Sequence, residues 1–225
     1  MGVMADMILP ADPTLDEVRD ALAPLVARNA AFDGWTHVAL DMAAQQAGMD
    51  KDIARLAFDG GPLVMIDAWF AHIDAAMLAH YPPEKLAPMK IRERITALTE
   101  ARIDIASADR EALRRAMPIL AMPHNLVRAT KLGWRTADTI WRAAGDTTTD
   151  YNHYTKRSLL MGIYSATMLS FINDESDDHG DTRAFLARRI DNVMQFEKAK
   201  ARLSANKERR PSLARFVGRL RYHAR

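Results

Sequence analysis

The sequence contains no cysteine among its 225 residues. Disulfides, thiolate metal sites and cysteine nucleophiles are therefore excluded. Runs of β-branched residues are also missing, whereas Ala, Leu, Met, Arg and Asp are abundant. This composition predicts an all-α protein of about ten helices. Because 48% of the residues are hydrophobic, the chain can bury the core of one ordinary domain, alone or with a small appendage.

Long hydrophobic runs and a basic N-terminal leader are missing as well. No uninterrupted apolar stretch approaches the roughly 20 residues that cross a bilayer. The N-terminus carries Asp6, Asp12, Asp16 and Glu17, without the basic segment of a secretory signal peptide. We therefore expect a chain that is either soluble or attached to a membrane surface.

The signature motifs of common enzyme classes do not occur. There is no P-loop, no G-x-S-x-G, no dinucleotide fingerprint and no helical H-E-x-x-H. The run Asp177, Asp178 and His179 favours a solvated loop, since consecutive residues seldom converge on one metal ion. We therefore expect no catalytic residue and no metal site, although a helical enzyme acting on a lipid remains an alternative.

The net charge of +2 conceals an uneven distribution along the chain. Residues 197–225 contain ten Lys or Arg and two Glu, a balance of +8, so the remainder carries −6. An acidic body with a basic tail indicates separate roles for the two parts.

Capping residues, glycines and prolines divide the chain into predicted helices. Gly48 and Gly145 are expected to end the helices that precede them. The predicted helices cover residues 15–31, 35–47, 50–58, 63–79, 84–105, 110–120, 125–131, 134–144, 150–173 and 182–200, followed by a tail helix at 212–222.

The first three predicted helices have the sizes of a TetR-type helix-turn-helix headpiece, and the segment Ala43 to Met49 resembles the turn of that motif. DNA recognition requires cations for phosphates and suitable donors for base edges. The candidate recognition helix, residues 50–59, carries three Asp against one Lys and one Arg. We therefore expect a degenerate headpiece that binds no nucleic acid, while a TetR-like ligand-responsive regulator remains the alternative.

The most distinctive segment, Ile140 to Arg157, reads IWRAAGDTTTDYNHYTKR. Together with the residues that follow, up to Phe196, it resembles the Coq-nine family of ubiquinone (coenzyme Q) biosynthesis accessory proteins, which have a TetR-like fold. The further matching residues are Leu159, Tyr164, Thr167, the loop 174–176, Thr182, Phe185, Leu186, Arg188, Arg189 and Ile190.

The segment Ile140 to Arg157 also predicts a rigid corner between two helices. Asp146 is placed to pair with Lys156 or Arg157 across the turn, and Trp141 is expected to lie beside Tyr154. A fixed corner that displays aromatic and charged groups suits a protein partner.

The resemblance implies that this corner docks to the di-iron hydroxylase that acts on demethoxyubiquinone. One departure concerns His153, because that position is often aromatic in the family, so a more polar contact or a different partner remains open. The predicted docking residues are Ile140, Trp141, Ala143, Asp150, Asn152, His153 and Tyr154.

The resemblance also implies a hydrophobic pocket for isoprenoid lipids, including quinone intermediates. Thirteen Met residues supply flexible, polarisable side chains that suit such a pocket. We expect no cofactor, but we do expect a bound isoprenoid or phospholipid. Apolar residues at helical spacing are also typical of an ordinary core. The predicted lining residues are Met65, Trp69, Met77, Leu98, Ile105, Leu113, Leu120, Leu160, Tyr164, Met168 and Phe171.

The basic tail predicts a short amphipathic helix with one apolar stripe. Such a helix suits binding to an anionic membrane surface. The resemblance implies the same role, because the family has a C-terminal amphipathic helix that contacts the membrane. Packing against a neighbouring subunit or disorder are the alternatives. The predicted membrane-binding residues are Leu213, Arg215, Phe216, Val217, Arg219 and Leu220.

These expectations combine into three parts: a headpiece at 1–62, a lipid-binding body at 63–203 and a membrane-associating tail at 204–225. The predicted function is to bind an isoprenoid quinone intermediate and present it to the hydroxylase. The predicted location is the cytoplasmic side of a bacterial inner membrane or the matrix side of a mitochondrial one. A homodimer is expected, because TetR-like proteins commonly dimerise through their last helices.

Overall fold

The computed structural model describes residue 10, residues 12–147, residue 149 and residues 151–208. These residues form helices and no strand, which confirms the predicted all-α class. Two 3-10 turns lie at Pro123–Asn125 and Asp177–His179. The helices are α1 (Leu15–Asp33), α2 (His37–Gln46), α3 (Lys51–Ala57), α4 (Pro62–His80), α5 (Pro83–Leu86), α6 (Ile91–Ser107), α7 (Arg110–Ala121), α8 (Leu126–Ala143), α9 (Tyr151–Phe171) and α10 (Gly180–Glu208).

Two compact units make up the chain, Met1–Leu186 and Ala187–Arg225. The first unit contains α1 to α9 and the beginning of α10. The second consists of the rest of α10 and the residues after it. The contacts described below all lie within the first unit.

The headpiece is formed by α1, α2 and α3, and its local signals act as predicted. Thr14 opens α1 with a capping box, in which the Glu17 carboxylate accepts the backbone N–H of Thr14 at 2.8 Å. The turn between α2 and α3 passes through Gly48 at a φ of 66°, a conformation that favours glycine. The backbone N–H of Met49 then donates to the carbonyl of Ala44 at 2.8 Å, which closes the end of α2.

Trp35 joins the headpiece to the body. Its side chain is buried, and its indole N–H donates to the carbonyl of Ala112 on α7 at 3.0 Å. The Trp35 ring also lies 5.5 Å from the ring of Trp69 on α4. Since α1 packs on both α4 and α7, the headpiece and the body share one hydrophobic core.

The central helix of the body is α4. By length and composition alone it is long and apolar enough to cross a bilayer. However, Asp67 and Asp74 interrupt its apolar sequence, and it packs against α1, α6, α7 and α8. This packing is that of a core helix, and eight of its side chains are buried.

The helix predicted at residues 84–105 is wrong at residues 87–90, which are not helical. The structure has a separate short α5 and then α6, which begins at Ile91. Pro88 lies between them, and a proline has no N–H to continue a helix and clashes with the preceding turn. The Glu93 carboxylate accepts the backbone N–H of Lys90 at 2.8 Å, which fixes the new start.

The predicted break between residues 131 and 134 is also wrong, because α8 continues without interruption through Gly133. A methyl group at Gly133 would lie 3.0 Å from Cγ of Met161 on α9. This glycine therefore permits the close approach of two helices and does not end one. Residues 204–208, which the sequence assigns to the tail, belong to α10, since no glycine or proline interrupts residues 181–208.

Candidate functional site

The corner between α8 and α9 is the candidate functional site. Gly145 follows α8 at a φ of 94°, which is costly for any residue with a side chain. The carbonyl of Ala144 accepts a hydrogen bond from Nη1 of Arg94 on α6 at 2.9 Å. The same Arg94 donates to the carbonyl of Met89 at 2.9 Å, so the turn is tied to the start of α6.

Arg157 is the buried centre of this corner. Its Nε donates to Asp138 of α8 at 2.5 Å, and its Nη1 donates to Asp146 at 3.1 Å and to the carbonyl of His153 at 3.2 Å. The second oxygen of Asp146 accepts from Nζ of Lys156 at 2.8 Å. The predicted pairing of Asp146 is therefore confirmed with both cations. The network fixes the angle between α8 and α9 at their junction.

Tyr154 stands on the outer side of the corner, with 61% of its surface exposed. Its ring lies 5.2 Å from His153 and 6.0 Å from Trp134, one centroid to the other. The expectation that Trp141 lies beside it is wrong. Instead, the Trp141 indole N–H donates to the carbonyl of Lys156 at 3.1 Å, and the Lys156 ammonium lies 5.3 Å from the Trp141 ring.

Trp134 is the residue of this surface that the sequence interpretation missed. It lies two turns before Trp141 in α8, so a spacing of seven residues places both indoles on the same side of the helix. That spacing was the available signal. The surface of exposed or half-exposed rings formed by Trp134, His153 and Tyr154 is called the aromatic corner below.

The predicted docking residues differ in accessibility. Asn152 and Tyr154 are exposed, and Trp141, Ala143 and His153 are half-buried. Ile140 is fully buried and supports the corner from below. Asp150 lies outside the described residues.

The predicted lipid-lining residues lie on α4, α6, α7 and α9. Ile105 and Leu120 are half-buried, and the others form part of the core of the body. Three open grooves, of about 390, 490 and 510 Å³, are lined by other residues. The role of these side chains toward a lipid therefore stays a prediction. The buried members are Met65, Trp69, Met77, Leu98, Leu113, Leu160, Tyr164, Met168 and Phe171.

Within the described part of the chain, no three His, Asp or Glu side chains come together as a metal-binding group. The run from Asp177 to His179 forms the 3-10 turn that precedes α10. Asp178 and His179 both have a positive φ there, 51° and 54°. The loop therefore opens a helix, as its sequence indicates.

Asp174 holds that loop together through four hydrogen bonds. One carboxylate oxygen accepts the N–H and hydroxyl of Ser176 at 2.9 and 2.5 Å, and the other accepts those of Thr182 at 2.8 and 2.6 Å. Burial by itself would raise the pKa of Asp174, but these donors hold the pKa well below its ordinary value.

This carboxylate predicts how stability depends on pH. Because its pKa is lowered in the folded state, Asp174 stabilises the protein fully above its ordinary value of 3.8 and loses this effect progressively as the pH falls from that value toward the lowered pKa of the folded state. We expect Asp174→Asn to lower the free energy of unfolding clearly at pH 7. The difference from wild type should shrink below about pH 4, as urea unfolding at several pH values would show. A difference that stays constant from pH 7 to 3 would contradict the assignment.

The candidate recognition helix α3 offers little positive charge. Arg55 donates two hydrogen bonds to the carboxylate of Asp41 on α2, at 3.0 and 2.6 Å. The hydrogen bonds from Arg55 lower the pKa of Asp41, so the pair is fully charged at neutral pH. One of the two cations of the candidate recognition helix is therefore already neutralised.

The predicted membrane-binding residues 213–220 lie outside the described residues. The amphipathic tail helix accordingly stays a prediction from the sequence. The described part of α10 ends at Glu208.

Comparison with known proteins identifies relatives of this chain. The sequence profile of the COQ9 family matches residues 126–197, the segment that contains α8, the corner and α9. The chain is 32% identical over 169 residues to a protein from Bos taurus named ubiquinone biosynthesis protein COQ9, mitochondrial, covering 72% of this chain and 52% of that protein. The proteins of the same name from Rattus norvegicus and Homo sapiens are 33% and 30% identical, again over 72% of this chain. The chain thus spans about half the length of these relatives.

Among solved structures, a TetR transcriptional regulator from Nitrosomonas europaea ATCC 19718 superposes with a TM-score of 0.63. The two chains are 27% identical, and the match covers 79% of this chain and 98% of the regulator. The arrangement of α1 to α9 is therefore a TetR-like fold. Together with the profile match across the corner, these relatives show that the chain is similar to the COQ9 family.

Proposed function

We propose that this protein is a non-catalytic accessory protein of ubiquinone biosynthesis. It binds an isoprenoid quinone intermediate in its helical body and presents it to the demethoxyubiquinone hydroxylase at the aromatic corner. The observation that carries the proposal is the match of the COQ9 profile to residues 126–197. This segment contains the corner whose buried centre is Arg157. The hydroxylase, and not this chain, would supply the chemistry.

Lipid binding is supported by the material of the body. Large flexible side chains such as Met65, Met77 and Met168 are buried between the helices, and methionine adapts readily to an irregular ligand. Withdrawing a prenyl chain from a membrane into water costs about 0.8 kcal/mol for each methylene group exposed. A protein interior offsets this cost, which gives a carrier its purpose.

Docking at the corner is supported by rigidity and composition. Exposed aromatic rings are enriched at the centres of protein interfaces, and a preformed surface loses little conformational entropy on binding. The buried ion pairs of Arg157 hold Tyr154 on a fixed backbone, only one turn of α9 away. His153 contributes a polar ring to the same surface.

Native mass spectrometry of the purified protein tests the lipid-binding part. We expect copurified prenyl lipid or phospholipid, and uptake of an added isoprenoid quinone by protein freed of lipid. In cells that lack the protein, a demethoxy quinone precursor should accumulate. Protein that takes up no isoprenoid would refute the proposal.

The tail predicts membrane attachment. We expect deletion of residues 208–225 to abolish binding to anionic liposomes, since each cation near such a surface contributes about 1 kcal/mol. Cosedimentation measures the binding, and circular dichroism of the truncated chain checks that the helical fold is retained. As a second variant, Phe216→Ser with Leu220→Ser removes apolar contact and leaves the charge unchanged. Undiminished liposome binding by the truncated protein would refute membrane attachment.

The second candidate is a ligand-responsive transcriptional regulator. It is favoured by the name of the Nitrosomonas europaea protein, a transcriptional regulator. The match with this chain covers 98% of that regulator. The acidic α3 and the engaged Arg55 speak against it. A regulator should bind its promoter fragment with an affinity that falls steeply with salt, and we expect no such binding.

A further inference from the structure

Arg102 of α6 lies wholly buried in the middle of the body. Its Nη1 donates to the Oδ1 atom of Asp74 on α4. Its Nε donates to the phenol oxygen of Tyr164 on α9 at 3.2 Å, and the guanidinium carbon lies 5.1 Å from the Tyr164 ring centroid. Three helices therefore meet around one buried cation.

This buried cluster is not satisfied internally. The third nitrogen of Arg102, Nη2, is buried and has no hydrogen-bond partner. The Oδ2 atom of Asp74 also lacks a hydrogen bond, as does the buried Nε of Arg135, which lies 3.6 Å from it. A buried polar atom without a partner costs about 1–3 kcal/mol, and more when it is charged. Such atoms are few in folded proteins and indicate a missing water or ligand.

The charges around Arg102 indicate what kind of group is missing. Arg102 and Arg135 face Asp74 and Asp67, since Arg135 also pairs with the carboxylate of Asp67. The cluster is therefore close to neutral, and burial raises the pKa of Asp74 despite both arginines. A neutral cluster with spare N–H donors suits an uncharged acceptor, such as a carbonyl or ether oxygen, better than an anion.

Apolar side chains surround these donors along the same helices. Leu98 lies one turn before Arg102 on α6, and Met77 lies one turn after Asp74 on α4, and both are buried. An oxygen-bearing ring with a hydrocarbon tail would match both parts: the donors fit the ring oxygens and the apolar surroundings fit the tail.

A surface groove of about 390 Å³ between α4 and α8 shares Arg135 and Asp67 with this cluster. It is lined by the apolar Leu63, Val64 and Leu132 and by the charged Asp67, Arg128, Lys131 and Arg135. Arg135 is common to both places, because its side chain is 39% exposed toward the groove while its Nε approaches Asp74. Arg135 therefore connects the groove with the Asp74 carboxylate that Arg102 also contacts.

We propose that the Arg102 guanidinium is the anchor for the oxygenated ring of a quinone-type lipid, which enters through the α4–α8 groove when Arg135 moves away from Asp74. This inference rests on the proposed function and specifies which atoms of the protein would recognise the ring. It concerns binding only and assigns no reaction to the chain.

The test uses two probes with the same ten-carbon chain, decylubiquinone and decylbenzene, of which only the first carries ring oxygens. Quenching of tryptophan fluorescence and native mass spectrometry report binding. We compare wild type with the double variant Asp74→Leu and Arg102→Met, because removing both partners avoids leaving one buried charge alone. We expect the affinity for decylubiquinone to fall about 10- to 100-fold, as for the loss of hydrogen bonds to a charged group, while decylbenzene binding is unchanged.

Thr99→Val is the matched control. Thr99 is also buried on α6, but its hydroxyl already donates to the carbonyl of Ile95 at 2.7 Å, so binding of both probes should stay as in wild type. If the double variant does not fold, Arg102→Lys takes its place. It keeps a cation opposite Asp74 but loses the planar fork of donors, and the same loss is expected.

The outcomes separate this inference from the proposed function. If wild type binds neither probe, the lipid-binding function itself fails. If wild type binds both probes and the Arg102 variants keep their affinity for decylubiquinone, the function stands and the proposed anchor is overturned. The cluster around Arg102 is then structural, and water satisfies its donors.

Discussion

We expect Arg157→Met to lower the free energy of unfolding by about 3–5 kcal/mol, the usual cost of removing one partner from a buried ion pair. The side chains of Arg157 and Asp146 are only 2% and 4% exposed. Without Arg157, Asp146 loses a bond of 3.1 Å and Asp138 loses a bond of 2.5 Å. Urea unfolding followed by circular dichroism measures the loss, with the slope against urea checked for constancy.

Arg142→Met is the matched control for this substitution. Arg142 pairs with the same Asp138, at 2.7 Å, but its side chain is 71% exposed. An exposed pair contributes about 0.2–1 kcal/mol, so this control should change stability little. Asp146→Asn combined with Arg157→Met should recover part of the loss, since the buried charge that has lost Arg157 is then absent. Equal effects of the two Arg→Met variants would refute the assignment of Arg157 as the centre of the corner.

Tyr154→Ala should weaken binding of the hydroxylase by about 30-fold or more, the effect of losing an interface residue worth at least about 2 kcal/mol. Tyr154 is exposed, so the free energy of unfolding should change by less than about 1 kcal/mol. Surface plasmon resonance with immobilised hydroxylase measures the affinity. A parallel urea titration shows that the variant is folded.

The control for Tyr154 is another exposed aromatic residue. Phe32 lies in the last turn of α1 in the headpiece and is 82% exposed, so Phe32→Ala removes a comparable ring from a different surface. We expect it to leave the affinity for the hydroxylase unchanged. A loss of affinity in both variants would indicate nonspecific hydrophobic contact, and no loss in Tyr154→Ala would exclude the aromatic corner as the docking surface.

Much of the corner could be predicted because its contacts are local along the chain. Asp146 and Arg157 are eleven residues apart across one tight turn, so any helical hairpin that bends at Gly145 brings them together. The pairing of opposite charges then follows from the residue types. The same holds for the turn at Gly48, where a positive φ is needed immediately after a helix.

The errors concern residues whose role depends on a second helix. Gly133 is a helix stop by its own preferences, yet α8 continues through it because Met161 of α9 needs the space that a side chain would fill. Trp141 was expected beside Tyr154, but the way that α8 and α9 cross places Trp134 there. Periodicity gives the face of a helix and not the depth at which another helix meets it.

The sequence by itself determined the helical class, the acidic headpiece and the braced turn at the corner, since all three follow from composition and from neighbours along the chain. Only the tertiary structure decided the buried cluster of Asp74 and Arg102, which are 28 residues apart, and the attachment of Trp35 to Ala112, 77 residues away. Such pairs exist because particular helices pack at particular angles, so an isolated Asp in α4 gives no sign of the arginine that it meets. The packing of the helices thus turned an ordinary apolar body into one with an unsatisfied cation at its centre.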